Sequence, residues 1–103
     1  MRVIAVRTLK EFWRKHPETQ NALRAWYQEV SKADWRNHGQ LKSQFKNASV
    51  LNAKRVVFNI KGNDYRLIVD IEYRLQIMFM VWAGTHKQYE KIDAKKIGYD
   101  KTY

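Results

Sequence analysis

Cysteine is absent from this sequence, which removes disulfides, thiolate nucleophiles and cysteine-ligated zinc sites together. Acidic residues are scarce, with 10 Asp and Glu against 20 Lys and Arg. Long apolar runs are missing too, since none approaches the roughly 18 residues of a membrane-spanning helix. The opening Met1-Arg2-Val3-Ile4-Ala5-Val6-Arg7 has too short an apolar stretch for a signal peptide, so a cytoplasmic protein is expected. No internal repeat and no low-complexity tract is visible, and a single domain over residues 1–103 is expected. A chain of this length buries about 65% of its unfolded surface. That suffices for one core and excludes a large two-substrate enzyme with a deep cofactor cleft.

What the sequence does have is charge on a folding body. The net charge is +10, while 45% of the residues are hydrophobic and 14% aromatic, far more than a basic disordered tail carries. A positive field of fixed shape favours a polyanion. The cations are spread along the chain and do not line one face of one helix, which argues for nucleic acid over an amphipathic attachment to membrane.

Val3 to Val6 reads as a short β-branched strand, and Thr8-Leu9-Lys10-Glu11 has the pattern of a capping box, predicting a helix from Thr8. That helix carries Leu9, Phe12 and Trp13 and must stop near His16, because Pro17 disfavours helical backbone in the residue before it. A second helix is predicted from Pro17, with Ala22, Leu23, Trp26, Val30 and Ala33 at helical spacing. Asp34 to Gly39 reads as a turn, Leu41 to Phe45 as one further helical turn, and Lys46 to Lys54 as a polar connection.

From Arg55 the period changes to two, and Gly62-Asn63 supply the centre of a II′ hairpin turn. The implied register pairs Ile60 with Tyr65, Phe58 with Leu67 and Val56 with Val69 on one face. The other face pairs Asn59 with Arg66, Val57 with Ile68 and Arg55 with Asp70. A third strand covers Ile77 to Ala83, in one of two registers. A two-residue loop pairs Met80 with Val69; a three-residue loop pairs Val69 with Val81, Ile71 with Phe79 and Leu67 with Ala83. The second is apolar at every step and is preferred. It places Met78, Met80, Trp82 and His86 on the face of Asn59 and Arg66. Thr85 then caps a short helix from His86 to Ile92. The expected fold class is α+β, in the order β-α-α-β-β-β-α, with helices on one face of a small antiparallel sheet.

The segment from Asn59 to Tyr89 brings a glycine turn, cations, a histidine and a tyrosine to one end of that sheet. Cleaving RNA requires a base for the 2′-hydroxyl, charge to stabilise the phosphate and a proton for the leaving oxygen. His86 can exchange a proton near neutrality, and Arg66 can hold phosphate oxygens with a rigid fork of donors. Lys54, Lys61 and Lys87 add positive charge, and Tyr89 can position, protonate or stack. Each residue also has a plainer reading. A histidine at a strand-to-helix junction serves as a cap, Arg66 can pair with Asp70 on the same face, and the lysines can be solvated. Tyr89 can pack inward, while Trp82 can stack on a base or pack under the C-terminal helix. His16 and His38 read as loop residues, and three scattered histidines lack the spacing of a zinc site.

Two motifs stand out, G-N-x-Y-R-L at Gly62 to Leu67 and G-T-H-x-x-Y at Gly84 to Tyr89. With the N-terminal strand and two helices, they resemble the HigB-type toxins of bacterial type II toxin–antitoxin systems over essentially the whole chain. The resemblance implies a RelE-like fold and a ribosome-dependent endoribonuclease that cuts mRNA during translation, without metal or cofactor, through attack by the 2′-hydroxyl. It implies Arg66, His86 and Tyr89 as catalytic residues; Lys54, Arg55, Asn59, Lys61 and Lys87 are the expected contacts to RNA or the ribosome. A HigA-type antitoxin, usually a helix-turn-helix DNA-binding protein, is the implied protein partner. The alternative is a non-catalytic module of the double-stranded RNA-binding type, which needs a long C-terminal helix with a basic N-terminus.

Overall fold

A computed structural model describes residues 1–98. The chain opens with strand β1 (Arg2–Ile4) and helix α1 (Val6–Lys15), followed by a 3-10 turn at Pro17–Thr19 and helix α2 (Gln20–Lys32). Helix α3 (His38–Gln44) leads to strands β2 (Ser49–Val50), β3 (Arg55–Ile60), β4 (Tyr65–Glu72) and β5 (Ile77–Thr85), and helix α4 (His86–Tyr89) closes the order. The strands form one sheet, β1-β5-β4-β3-β2. It is mixed: β1 runs parallel to β5, and the other neighbours are antiparallel.

Helix α1 begins two residues before Thr8. Ala5 takes a left-handed conformation (φ 71, ψ 43), and its carbonyl accepts from the Thr8 amide, so Thr8 lies inside the helix and caps nothing. Pro17 does end α1, and the residues after it form the 3-10 turn before α2 starts. The expected turn at Asp34 to Gly39 is shorter, because Asn37 accepts from the Gln40 amide and starts α3 at His38. Strand β2, two exposed residues on the edge, has no sequence signature.

One face of the sheet carries the main core. Leu9, Leu23, Trp26, Val30 and Leu41 pack there against Val56, Phe58, Leu67 and Val69. Phe58 is 1% exposed and lies edge-on to Trp26 of α2 (5.3 Å) and to Phe45 just after α3 (5.1 Å). Such pairs add about 0.5–1.5 kcal/mol each beyond burial, so Phe58 ties the sheet to the helical layer.

The β3–β4 register is the expected one at all six pairs from Arg55↔Asp70 to Ile60↔Tyr65. Gly62 takes φ 67, and the Asp64 amide donates to the Lys61 carbonyl (3.3 Å), closing the hairpin around Gly62-Asn63. The β4–β5 pairing departs from the expectation. Leu67 pairs with Ala83 and Ile68 with Trp82, but beyond a bulge between Ile68 and Val69 the partners are Val69↔Met80 and Ile71↔Met78. Each candidate register holds for half of the strand, with Val81 as the extra residue. In consequence Met78 and Met80 turn into the main core, and Trp82 stays on the Arg66 face.

That second face is covered as well, which corrects the expectation of helices on one face only. Val57, Ile68 and Val81 are buried beneath Trp82, Tyr89, Ile92, Ala94 and Ile97. Helix α4 stops at Tyr89, short of Ile92, and the chain crosses the sheet in turns. A double-stranded RNA-binding module needs a long C-terminal helix, and four residues do not supply one.

Candidate active site

Strand β4 points Arg66 to the face opposite α1, α2 and α3, the face that α4 covers, with Gly84 as its partner on β5. One residue further, Thr85 caps α4: its side chain accepts from the Gln88 amide (3.1 Å), and the Gln88 side chain accepts from the Thr85 amide (2.9 Å). Thr85 is the N-cap expected, and the reciprocal bond from Gln88 completes a capping box. The His86 amide donates to the Asp64 carbonyl (2.9 Å), fastening α4 to the hairpin turn.

Arg66 and His86 meet there. Arg66 Nη2 lies 2.9 Å from His86 Nδ1, and Nη1 donates to the carbonyls of Asn63 (2.8 Å) and Tyr65 (3.2 Å). A guanidinium has no acceptor, so Nδ1 must receive the hydrogen bond through its lone pair. The imidazole proton then belongs on Nε2, which sits 2.8 Å from Glu90 Oε1. The guanidinium carbon is 5.7 Å from the centre of the Tyr89 ring, within cation–π range. The His86 side chain is 46% exposed, so incoming substrate can reach the cluster.

The three expected catalytic residues are therefore together. Asn59 pairs with Arg66 in the register and donates to the Asn63 side chain (3.3 Å), at the rim of the same site. Lys87 is exposed on α4. Lys61 lies in the hairpin turn, where its charge is felt by Glu18. Lys54 lies in the bend before β3, where its carbonyl accepts from the Ile71 amide (2.9 Å) five residues along β4 from Arg66, and does not join the cluster. Arg55 is corrected outright. It is 7% exposed, bound through two nitrogens to Asp70 (2.8 and 2.9 Å), and donates to the carbonyls of Ala94, Lys95 and Ile97. It clamps the C-terminal segment to the sheet and has no face for RNA. With Asp70 taken by Arg55, the plainer reading of Arg66 as its partner also lapses.

Glu90 is a site residue that the sequence analysis does not single out. Its signal is the spacing of four from His86, which stacks the two side chains on one helical face. The other histidines are structural. His38 Nδ1 meets the Tyr73 hydroxyl (2.5 Å) and Nε2 the Asn52 carbonyl (3.0 Å), while His16 packs on Phe12 and Tyr65. Behind the hairpin, the Tyr65 hydroxyl donates to Glu18. That bond lowers the Glu18 carboxyl from its ordinary value and raises Tyr65 to about 12. Among the described residues, no three His, Cys, Asp or Glu side chains converge to hold a metal ion, and no helix is long and apolar enough to cross a membrane.

No curated protein matches the chain. Residues 19–92, which hold the hairpin, Arg66, His86, Tyr89 and Glu90, match the family HigB_toxin, described as the RelE-like toxic component of a toxin-antitoxin system. The chain belongs to the HigB toxin family.

Proposed function

We propose that this toxin is an mRNA endoribonuclease that acts on translating ribosomes without metal, with Arg66, His86 and Tyr89 as its catalytic residues. The observation that carries this reading is the Arg66–His86–Glu90 chain of contacts beside the Tyr89 ring, on an exposed edge of a +10 molecule. A scissile phosphate competes for the Arg66 guanidinium, since bidentate bonds to phosphate are stronger than one bond to a neutral imidazole. Withdrawing Arg66 frees the Nδ1 lone pair, which takes the proton of the adjacent 2′-hydroxyl. Glu90 keeps the ring oriented and stabilises the imidazolium that forms, as a carboxylate does in other carboxylate–histidine pairs.

The 2′-oxygen attacks phosphorus and the P–O5′ bond breaks, leaving a 2′,3′-cyclic phosphate and a 5′-hydroxyl. Attack is in line, so the leaving oxygen faces away from His86 and needs its own proton. Tyr89 is assigned to supply it, and Arg66 to neutralise the charge that grows on the phosphate. Asn59 and Lys87 contact RNA around the cluster, and Lys61 and Lys54 serve ribosome docking through charge at a greater distance. The family is one of toxin–antitoxin systems, so an antitoxin is the protein partner, and a HigA-type protein is the proposed one. The cytoplasm, where mRNA is translated, is the proposed site of action.

The test is end chemistry. A reconstituted translation reaction with the toxin is expected to yield mRNA fragments with cyclic phosphate and 5′-hydroxyl ends at ribosome-occupied codons, in the presence of a chelator matched to spare ribosomal magnesium. Fragments bearing 5′-phosphate ends would contradict the proposed reaction.

A further inference from the structure

Gly84 opens the G-T-H-x-x-Y motif, and its backbone angle does not require glycine, because Gly62 is the glycine with positive φ. What it requires is room. A Cβ built on Gly84 would lie 2.3 and 2.5 Å from Cη2 and Cζ2 of Trp82, and 2.9 Å from Oε1 of Gln88. The far ring of the indole thus rests on the bare backbone of Gly84, two residues along the same strand face. The Trp82 ring is 6.3 Å from the Tyr89 ring, at 49°, and Tyr89 in turn underlies the Arg66 guanidinium. The Gln88 carboxamide at the same point forms half of the cap of α4.

Helix α4 is four residues long, too short to hold its shape without outside contacts. Its supports are the Thr85–Gln88 cap, the His86 amide bond to Asp64, and the packing of Tyr89 beside Trp82. One methyl group at position 84 would strike two of the three. We infer that Trp82, seated in the space left by Gly84, is a positioning residue that fixes Tyr89 beneath Arg66 and so presets the guanidinium beside His86. This inference rests on the proposed nuclease reading for its effect on activity, and on geometry alone for its effect on the ring positions.

The test compares Gly84→Ala, Trp82→Phe and Trp82→Ala with the double variant Gly84→Ala/Trp82→Phe. Phenylalanine lacks the far ring of indole and vacates the space the alanine methyl needs. Two readouts are taken: NMR resonances of the His86 and Tyr89 rings against those of the Val56–Leu67 core, and mRNA cleavage on translating ribosomes. Gly84→Ala is expected to shift both ring signals and lower cleavage at least tenfold, with the double variant recovering to within about threefold of Trp82→Phe alone. Trp82→Ala, which adds no clash, is expected to shift the same signals with the core signals in place. The inference is overturned if the ring signals ignore Trp82→Ala, or if the double variant is no nearer the parent than Gly84→Ala. A parent that cleaves nothing would sink the nuclease reading, while the ring signals would still decide the interlock.

Discussion

Arg66 and His86 are joined through the one hydrogen bond that an arginine and a neutral histidine can make, Nη2 to the Nδ1 lone pair at 2.9 Å. A doubly protonated imidazole has no such lone pair, so protonating His86 must break the contact and leave Arg66 with the carbonyls of Asn63 and Tyr65. The resting site is therefore closed on itself, and under the proposed mechanism a scissile phosphate opens it by taking the guanidinium.

Replacing either partner should remove cleavage and leave the fold. His86→Ala is expected to lower cleavage by about 10²–10⁴-fold, the usual contribution of a general base, and Arg66→Ala by about 10²–10³-fold. Arg66→Lys should not restore activity, because a lysine lacks the fork that reaches phosphate and carbonyls together. Both sites are at the surface, so urea midpoints should correspond to changes within about 0.5 kcal/mol.

The Arg55–Asp70 clamp should behave in the opposite way. Its side chains are 9% and 14% exposed, and removing one partner of a buried pair strands the other charge. Asp70→Ala is expected to cost about 3 kcal/mol in urea denaturation, and Arg55→Lys to fail as a replacement because it cannot span Asp70 and the carbonyls after Tyr89. A loss of RNA affinity without loss of stability in Arg55→Lys would return Arg55 to the RNA surface.

The Tyr65–Glu18 bond predicts a pH window. Glu18 is held below its ordinary carboxyl value of 4.5, first by the Tyr65 hydroxyl, and Tyr65 is raised from 10 to about 12, first by Glu18. A lowered carboxyl stabilises the fold above its unfolded value, and that contribution fades as pH falls through the folded value. A raised tyrosine stabilises below pH 10 and loses this as pH rises through about 12. Tyr65→Phe should therefore be less stable than the parent at neutral pH, with the gap closing in acid. Denaturation midpoints across pH 2–8 check this; a gap that is flat with pH would refute it.

At the hairpin turn, Gly62→Ala puts a side chain at φ 67. The expected cost is about 1 kcal/mol, measurable as a lower thermal midpoint with the same unfolding slope.

The hairpin and its register were legible because Gly62-Asn63 marks the turn, and counting outward from it pairs Asn59 with Arg66 and Arg55 with Asp70 on one face and apolar residues on the other. The placement of His86 on the Arg66 face came from the three-residue-loop register, which holds at this end of the strand pair, from Tyr65↔Thr85 to Ile68↔Trp82, while the grouping of Arg66, His86 and Tyr89 as catalytic residues came from the resemblance. The β4–β5 pairing was not legible, since both candidate registers match apolar residues and only a bulge at Val81 lets each hold where it packs best. Thr8 misled because the capping pattern is local, while the start of α1 is set by the left-handed Ala5 that turns the chain out of β1. Arg55 misled because its burial depends on a segment some 40 residues later in the chain, at Ala94 to Ile97, which no alternation of β3 can reveal.

The most direct test is to map mRNA ends in cells after inducing the parent chain or His86→Ala, with translation running and with initiation blocked. The account expects new 5′-hydroxyl ends inside translated codons for the parent alone, disappearing when ribosomes are removed from the message. Equal cutting by His86→Ala, or cuts that persist on untranslated mRNA, would contradict it.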